Sequence, residues 1–140
     1  MNKFILNLAV AGVLISAPLY PNWIKTPMDL SVWLVNNFTY QAEEGQDYWK
    51  KPEETVRDKG GDCEDLSFLV DNILTDLNYK TQVIAVYWEK EAHAICIIEE
   101  NNKYSFFSNQ YYFPTKYYSI KELIEKNYPT YKYYKRIYLK

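Results

Sequence analysis

One cysteine, Cys63, lies at a predicted helix start, a position that can activate a nucleophile. Cys63 follows Gly60, Gly61 and Asp62, and apolar residues recur after it at helical spacing. Because an aspartate at a helix N-cap accepts hydrogen bonds from free N–H groups, Asp62 predicts a helix that begins at Cys63. The positive end of that helix favours a reactive thiolate, and the glycines would let a substrate backbone approach. A small buried thiol is the alternative.

His93 is the only histidine, so any cysteine–histidine chemistry depends on it. It begins a predicted strand downstream of the cysteine helix. Since alternate strand residues face opposite sides, His93 shares a face with Ile95, and Cys96 points to the other face. We therefore expect Cys96 in the core, without a disulfide to Cys63.

The runs around these residues resemble the transglutaminase-like superfamily, above all the bacterial transglutaminase-like cysteine proteinases. The resemblance covers roughly residues 22–112 and rests on Tyr48-Trp49-Lys50-Lys51-Pro52-Glu53-Glu54-Thr55, Gly60-Gly61-Asp62-Cys63-Glu64-Asp65 and His93-Ala94. It implies an α+β fold with a papain-like or transglutaminase-like core and a Cys–His–Asp/Asn triad for acyl transfer. Cys63 would be the nucleophile and His93 the base. A shared fold leaves the substrate open.

The third member of the triad has two candidates. The position that matches the family's aspartate is Ser108, one residue before Asn109. If a two-residue asparagine turn closes the preceding hairpin, Ser108 pairs with Ile95 and shares the face of His93. Asn109 would need a β-bulge to reach that face. We favour Asn109 because papain-like enzymes use an amide there, and Ser108 is the alternative.

The resemblance also assigns a substrate or oxyanion role to Trp49 and Gly61. Related enzymes stabilise the oxyanion with an upstream indole or amide, which Trp49 could supply. Packing of the indole against the core is the other interpretation. The backbone N–H of Cys63 would be a second oxyanion donor.

Three carboxylates flank Cys63 in the sequence, and they are candidate ligands for a metal cofactor. Asp62, Glu64 and Asp65 would disfavour a thiolate unless they point away from the sulfur. They could instead bind calcium, which prefers carboxylate oxygens, as in some relatives. Thiol chemistry requires no cofactor, so calcium is a candidate only. The spacing of the two cysteines and the histidine matches no common zinc site.

The predicted elements place helices first and a mostly antiparallel sheet after them, an α+β order. The N-terminal helices would pack on that sheet. Helices are predicted after Thr26, over Pro52–Val56, over Cys63–Leu77 and from Ser119 to about Lys126. Strands are predicted at residues 81–88, 92–99, 103–108 and 131–139.

The chain has 140 residues with 48% hydrophobic content, enough for one domain with a core. Residues 1–20 combine a basic start with a short apolar run, as in a signal peptide or an uncleaved membrane anchor. A first helix of the domain is the alternative. We therefore expect a transglutaminase-like domain at 21–140, exported or membrane-anchored. The membrane would be contacted only through residues 1–20.

These features predict a cysteine peptidase or amidase that acts on a peptide, a protein or a cell-wall peptide. The net charge of −2 gives no basis for binding nucleic acid. One alternative is a protein cross-linking transglutaminase. The other is a weak or inactive binding module for peptide or glycan, with tyrosines as its surface (Tyr111, Tyr112, Tyr117 and Tyr118).

Overall fold

The computed structural model describes residues 18–42 and 48–140. Within these ranges the helices are α1 (Pro27–Asn37), α2 (Pro52–Asp58), α3 (Cys63–Asp76) and α4 (Ile120–Asn127). The strands are β1 (Thr39–Tyr40), β2 (Gly60–Gly61), β3 (Lys80–Tyr87), β4 (Ala92–Glu100), β5 (Lys103–Ser108), β6 (Tyr111–Tyr117) and β7 (Tyr133–Ile137). The predicted leader or anchor lies outside the described residues except for its last three, of which Tyr20 packs against the core and hydrogen-bonds Asp76.

Strands β3 to β7 form one antiparallel sheet in the order β6-β5-β4-β3-β7. The predicted α+β class is confirmed. Asn101 and Asn102 both have positive φ, 54° and 63°, in the turn between β4 and β5. This turn sets the predicted register, in which Ile95 lies opposite Ser108.

The two faces of the sheet are covered by different helices. Helices α1 and α3 pack on the face that carries Cys96 and Ile98, whereas α4 packs on the face that carries Ile95 and Ile97. This division follows from the alternation of side chains along β4. Cys96 is fully buried and both cysteines are free thiols, as predicted.

The start of α3 is fixed by a reciprocal pair of hydrogen bonds. Asp62 Oδ1 accepts from the Asp65 N–H, and Asp65 Oδ2 accepts from the Asp62 N–H, each at 3.1 Å. Asp65 Oδ1 also accepts from the Lys50 N–H at 2.8 Å. The buried Asp65 carboxylate therefore joins the loop before α2 to the helix that begins with Cys63.

The glycines before α3 make room for the chain itself. A Cβ on Gly60 would lie 2.4 Å from the carbonyl oxygen of Thr39, because β1 and β2 pair in parallel there. A Cβ on Gly61 would lie 2.5 Å from Cβ of Asp65. The space that we expected a substrate backbone to use above Gly61 is filled by the Asp65 side chain.

Strand β6 is the longest of three strands that the sequence did not predict, and the other two are the two-residue strands β1 and β2. Its Pro114 has no N–H to donate to a neighbouring strand, which is why the segment does not read as a strand. The proline is tolerated because β6 is an edge strand, and its pairing with β5 is irregular between Tyr104 and Phe106. No helix in the described ranges is long and apolar enough to cross a membrane.

The role of Asp65 gives a stability prediction. Asp65→Ala leaves two backbone N–H groups without their acceptor and should lower the free energy of unfolding by about 1–3 kcal/mol. The control is Glu89→Ala, which removes an exposed carboxylate 3.7 Å from Lys132 and should cost less than about 1 kcal/mol. Urea unfolding of both variants measures the difference. Equal losses would contradict the joining role of Asp65.

Candidate active site

The sulfur of Cys63 contacts the backbone near the start of β4. The Ala94 N–H donates to Cys63 Sγ at 3.4 Å, and the thiol donates to Glu64 Oε1 at 3.3 Å. Ile95 and Ser108 form the last pair between β4 and β5, so Ala94 lies one residue beyond that pairing. The nucleophile candidate thus docks against the residue next to His93.

The imidazole of His93 is held by the alternative third residue. His93 Nε2 lies 2.8 Å from Ser108 Oγ. With the ring proton on Nε2, the imidazole donates to Ser108 and keeps a lone pair on Nδ1. Burial lowers the pKa of His93 below its usual value, so the ring is neutral at pH 7 and can act as a base.

Asn109, the favoured third residue, lies elsewhere. It occupies the two-residue turn between β5 and β6 with φ at 53°, a conformation that asparagine tolerates better than most residues. Its Oδ1 is buried without a hydrogen-bond partner among the described residues. The structure therefore brings Ser108 to His93 and leaves Asn109 in the turn.

The environment of Cys63 raises the pKa of its thiol to about 12. Burial is the main cause, the Ala94 N–H opposes it, and the charges of Glu64 and Asp62 add to it. The predicted lowering by the helix N-terminus is wrong for the free protein, because the residue is only 8% exposed and lies among apolar side chains. Cys63 is therefore protonated at neutral pH and needs a base to remove its proton.

The three carboxylates near the thiol do different things. Both oxygens of Asp65 accept hydrogen bonds from backbone N–H groups, Asp62 caps α3, and Glu64 accepts a hydrogen bond from the thiol. Burial raises the pKa of Asp65, and the hydrogen bonds from the N–H groups of Lys50 and Asp62 oppose this rise. In the described ranges, no three His, Cys, Asp or Glu side chains converge into a metal-binding group.

Trp49 packs beside the cysteine. Its ring lies 5.5 Å from that of Phe68, and both belong to the cluster that includes Cys63. Trp49 Nε1 is buried and has no hydrogen-bond partner in the described part of the chain. The indole lines a cavity of about 290 Å³ together with Tyr48, Leu139 and Lys140. A buried N–H that lacks an acceptor is suited to an anion formed during a reaction.

Two neighbours of the site were not found from the sequence. Glu64 was considered as a nearby negative charge and as a metal ligand, yet it is also the hydrogen-bond acceptor of the thiol. Tyr128 lies with its ring centre 5.9 Å from that of His93. The only local signal for Tyr128 is its place before Pro129, which marks a helix end and no chemistry.

The charge of Glu64 gives a prediction for alkylation of Cys63. In a Cys96→Ala background, the rate of labelling by iodoacetamide, a small reagent that does not resemble a peptide, should rise only well above pH 9, since the thiolate is disfavoured. Glu64→Gln removes one nearby negative charge and should shift the profile to lower pH. The control is Glu125→Gln on α4, whose carboxylate pairs with Lys121. A wild-type midpoint below pH 8.5, or no shift in Glu64→Gln, would contradict this account of the thiol.

Three solved structures of other proteins share this fold. LapG of Legionella pneumophila, in a calcium-bound structure, matches with a TM-score of 0.57 and 18% identity over 76% of this chain and 60% of the LapG chain. A second LapG structure gives a TM-score of 0.56 with the same identity and coverage. A candidate cysteine protease from Cytophaga hutchinsonii matches with a TM-score of 0.52 and 13% identity over 80% of this chain and 42% of that protein.

The structural matches show a shared fold, and this chain spans less than two thirds of the length of those proteins. In sequence, no curated protein gives a significant match. The family profile described as "Transglutaminase-like domain" matches residues 13–135. Since this match covers most of the 140 residues, the chain belongs to the transglutaminase-like domain family.

Proposed function

We propose that the protein is a thiol-dependent acyl-transfer enzyme, a cysteine peptidase or amidase that hydrolyses peptide or amide bonds. The observation that carries the proposal is the contact of Cys63 Sγ with the N–H of Ala94, next to a histidine whose Nε2 is already held. This arrangement leaves Nδ1 of His93 as the available base. Cys63 would be the nucleophile.

The chemistry follows from a neutral thiol and a neutral imidazole. As Sγ attacks the carbonyl carbon, His93 takes the thiol proton and then gives it to the leaving amine. A thioester with Cys63 remains, and water activated by His93 hydrolyses it. The thiol must first leave its hydrogen bond to Glu64. The Cys63 backbone N–H and Trp49 Nε1 would stabilise the oxyanion.

The third role falls to Ser108 in this proposal, and Asn109 would shape the turn beside it. A hydroxyl orients the imidazole without neutralising the imidazolium as a carboxylate does. The enzyme should therefore work more slowly than one with a carboxylate at this position. Gly61 would contribute indirectly, by admitting Asp65 beneath the start of α3.

Substrate and location belong to the same proposal. A peptide, a protein or a cell-wall peptide would be the substrate of an exported or membrane-anchored enzyme, with residues 1–20 as leader or anchor. Hydrolysis is favoured over cross-linking, because transfer to an amine requires a site that excludes water. Nucleic acid is not proposed as a partner.

Calcium enters as a candidate cofactor, since one of the similar LapG structures is calcium-bound. Asp62 and Glu64 have partly exposed carboxylates that fit such a cation, whereas both oxygens of Asp65 are already used. Backbone carbonyls and water would complete its ligands. The cation would supply positive charge beside the thiol.

Calcium binding can be tested without a substrate. Millimolar calcium should raise the midpoint of thermal unfolding, because a ligand that binds only the folded state stabilises it. Asp62→Asn combined with Glu64→Gln should abolish this shift, while the distant Glu125→Gln should retain it. The absence of a wild-type shift relative to a chelator would rule calcium out.

A non-catalytic binding module is the rival, and one observation favours it. The free thiol is bonded to Glu64, and its pKa is raised. In that case the exposed tyrosines near β6, such as Tyr111 and Tyr118, would contact peptide or glycan. A binding module would retain its affinity when Cys63 is replaced, and it would cleave nothing.

Peptide cleavage decides between these functions. A peptide mixture analysed by mass spectrometry should show products with the wild type, and Cys63→Ala and His93→Gln should each slow cleavage by at least about 10³-fold. Cys96→Ala is the matched thiol control and should keep the activity. Ser108→Asp should increase kcat by about tenfold, because a carboxylate stabilises the imidazolium. Binding without cleavage would overturn the enzymatic proposal.

A further inference from the structure

An aromatic wall closes one side of His93. Tyr128 lies 5.9 Å from the imidazole, ring centre to ring centre, and its own neighbours are Trp88 at 5.6 Å and Phe106 at 6.3 Å. These rings lie on the face of the sheet that α4 covers. The side of His93 toward this wall is thus shielded by packed aromatic groups.

The backbone of Tyr128 is fixed. Tyr128 is the C-cap of α4, and its N–H donates to the carbonyl oxygen of Ile124 at 2.7 Å. Its own carbonyl accepts from the Tyr131 N–H at 3.0 Å. Because both backbone groups are used, the phenol is presented to the site from a defined position.

Ser108 and Tyr128 both lie beside the imidazole of His93. Ser108 Oγ is 2.8 Å from His93 Nε2. A side-chain hydrogen bond with Ser108 also lowers the pKa of Tyr128, against the larger rise caused by burial. A serine hydroxyl has one proton and two lone pairs, so it can accept from the imidazole and donate to the phenol oxygen.

We propose that the chain of hydrogen bonds His93 Nε2–H to Ser108 Oγ–H to Tyr128 Oη fixes the imidazole, with Tyr128 as a positioning residue. Two neutral hydroxyls thereby take the orienting role that a carboxylate has in related triads. Hydrogen bonds in a chain polarise and strengthen one another. The catalytic meaning of the chain rests on the proposed function, whereas the chain itself can be measured without a substrate.

The test uses the single histidine. NMR of 15N-labelled protein gives one set of ring signals, so the exchange of His93 Nε2–H with water can be followed directly. Tyr128→Phe keeps the ring and removes the hydroxyl, and it should speed this exchange about fivefold to tenfold. Ser108→Ala should have an effect of at least that size. In the Ser108→Ala background, Tyr128→Phe should add little, since the chain is already broken.

Controls separate positioning from packing. Tyr134→Phe removes a hydroxyl from another tyrosine on the same face, one that packs against Tyr131, and it should leave the exchange unchanged. Ser108→Asp added to Tyr128→Phe should restore slow exchange, because a carboxylate accepts directly from Nε2–H. Unchanged exchange in Tyr128→Phe, or an equal change in Tyr134→Phe, would overturn the proposal.

Kinetics distinguish this inference from the proposed function. For any peptide that the wild type cleaves, Tyr128→Phe should lower kcat with little effect on KM. Slow exchange that depends on Tyr128, together with no cleavage of any peptide, would support the chain and refute the enzymatic function. Cleavage of a peptide, together with an exchange rate that does not depend on Tyr128, would support the enzymatic function and refute the hydrogen-bond chain.

Discussion

The site depends on the anchoring of one helix start. Asp65 accepts hydrogen bonds from the backbone N–H groups of Asp62 and Lys50, so it joins the loop before α2 to the first turn of α3. The first residue of that turn is Cys63, whose sulfur accepts a hydrogen bond from the Ala94 N–H near the start of β4. The position of the proposed nucleophile thus follows from a buried carboxylate that itself takes no part in the proposed chemistry.

Burial and local charge, more than the helix dipole, set the state of the thiol. The N-terminus of a helix favours a thiolate by a modest amount, and the effect falls off within the first turn. Burial of the sulfur away from water raises the pKa of the thiol, and the charge of Glu64 raises it further. The result is a neutral thiol, and the imidazole of His93, the proposed base, is neutral as well. This pair can transfer its proton during attack, so a stored ion pair is unnecessary for the proposed reaction.

The sequence predicted those features that depend on local pattern. The cap at Asp62 predicted the start of α3. The asparagine turn placed Ser108 opposite Ile95, and strand alternation put it on the face of His93. Contacts between distant segments could not be read in this way. The thiol pKa depends on how completely the core encloses Cys63, and Tyr128 reaches the site from the end of α4. Strand β6 was missed because Pro114 interrupts the local strand pattern. The strand forms nevertheless, because it pairs with β5 in the sheet.

The most direct test of the central claim is the reaction of Cys63 with a peptide vinyl sulfone at pH 7. Addition of the sulfur to this electrophile requires loss of the thiol proton, which the account assigns to His93. We predict labelling of Cys63 that becomes about 100-fold slower or more in His93→Gln, within the range expected for a lost general base. Equal labelling of the wild type and the variant would contradict the account, because the imidazole would then play no part in activating the thiol.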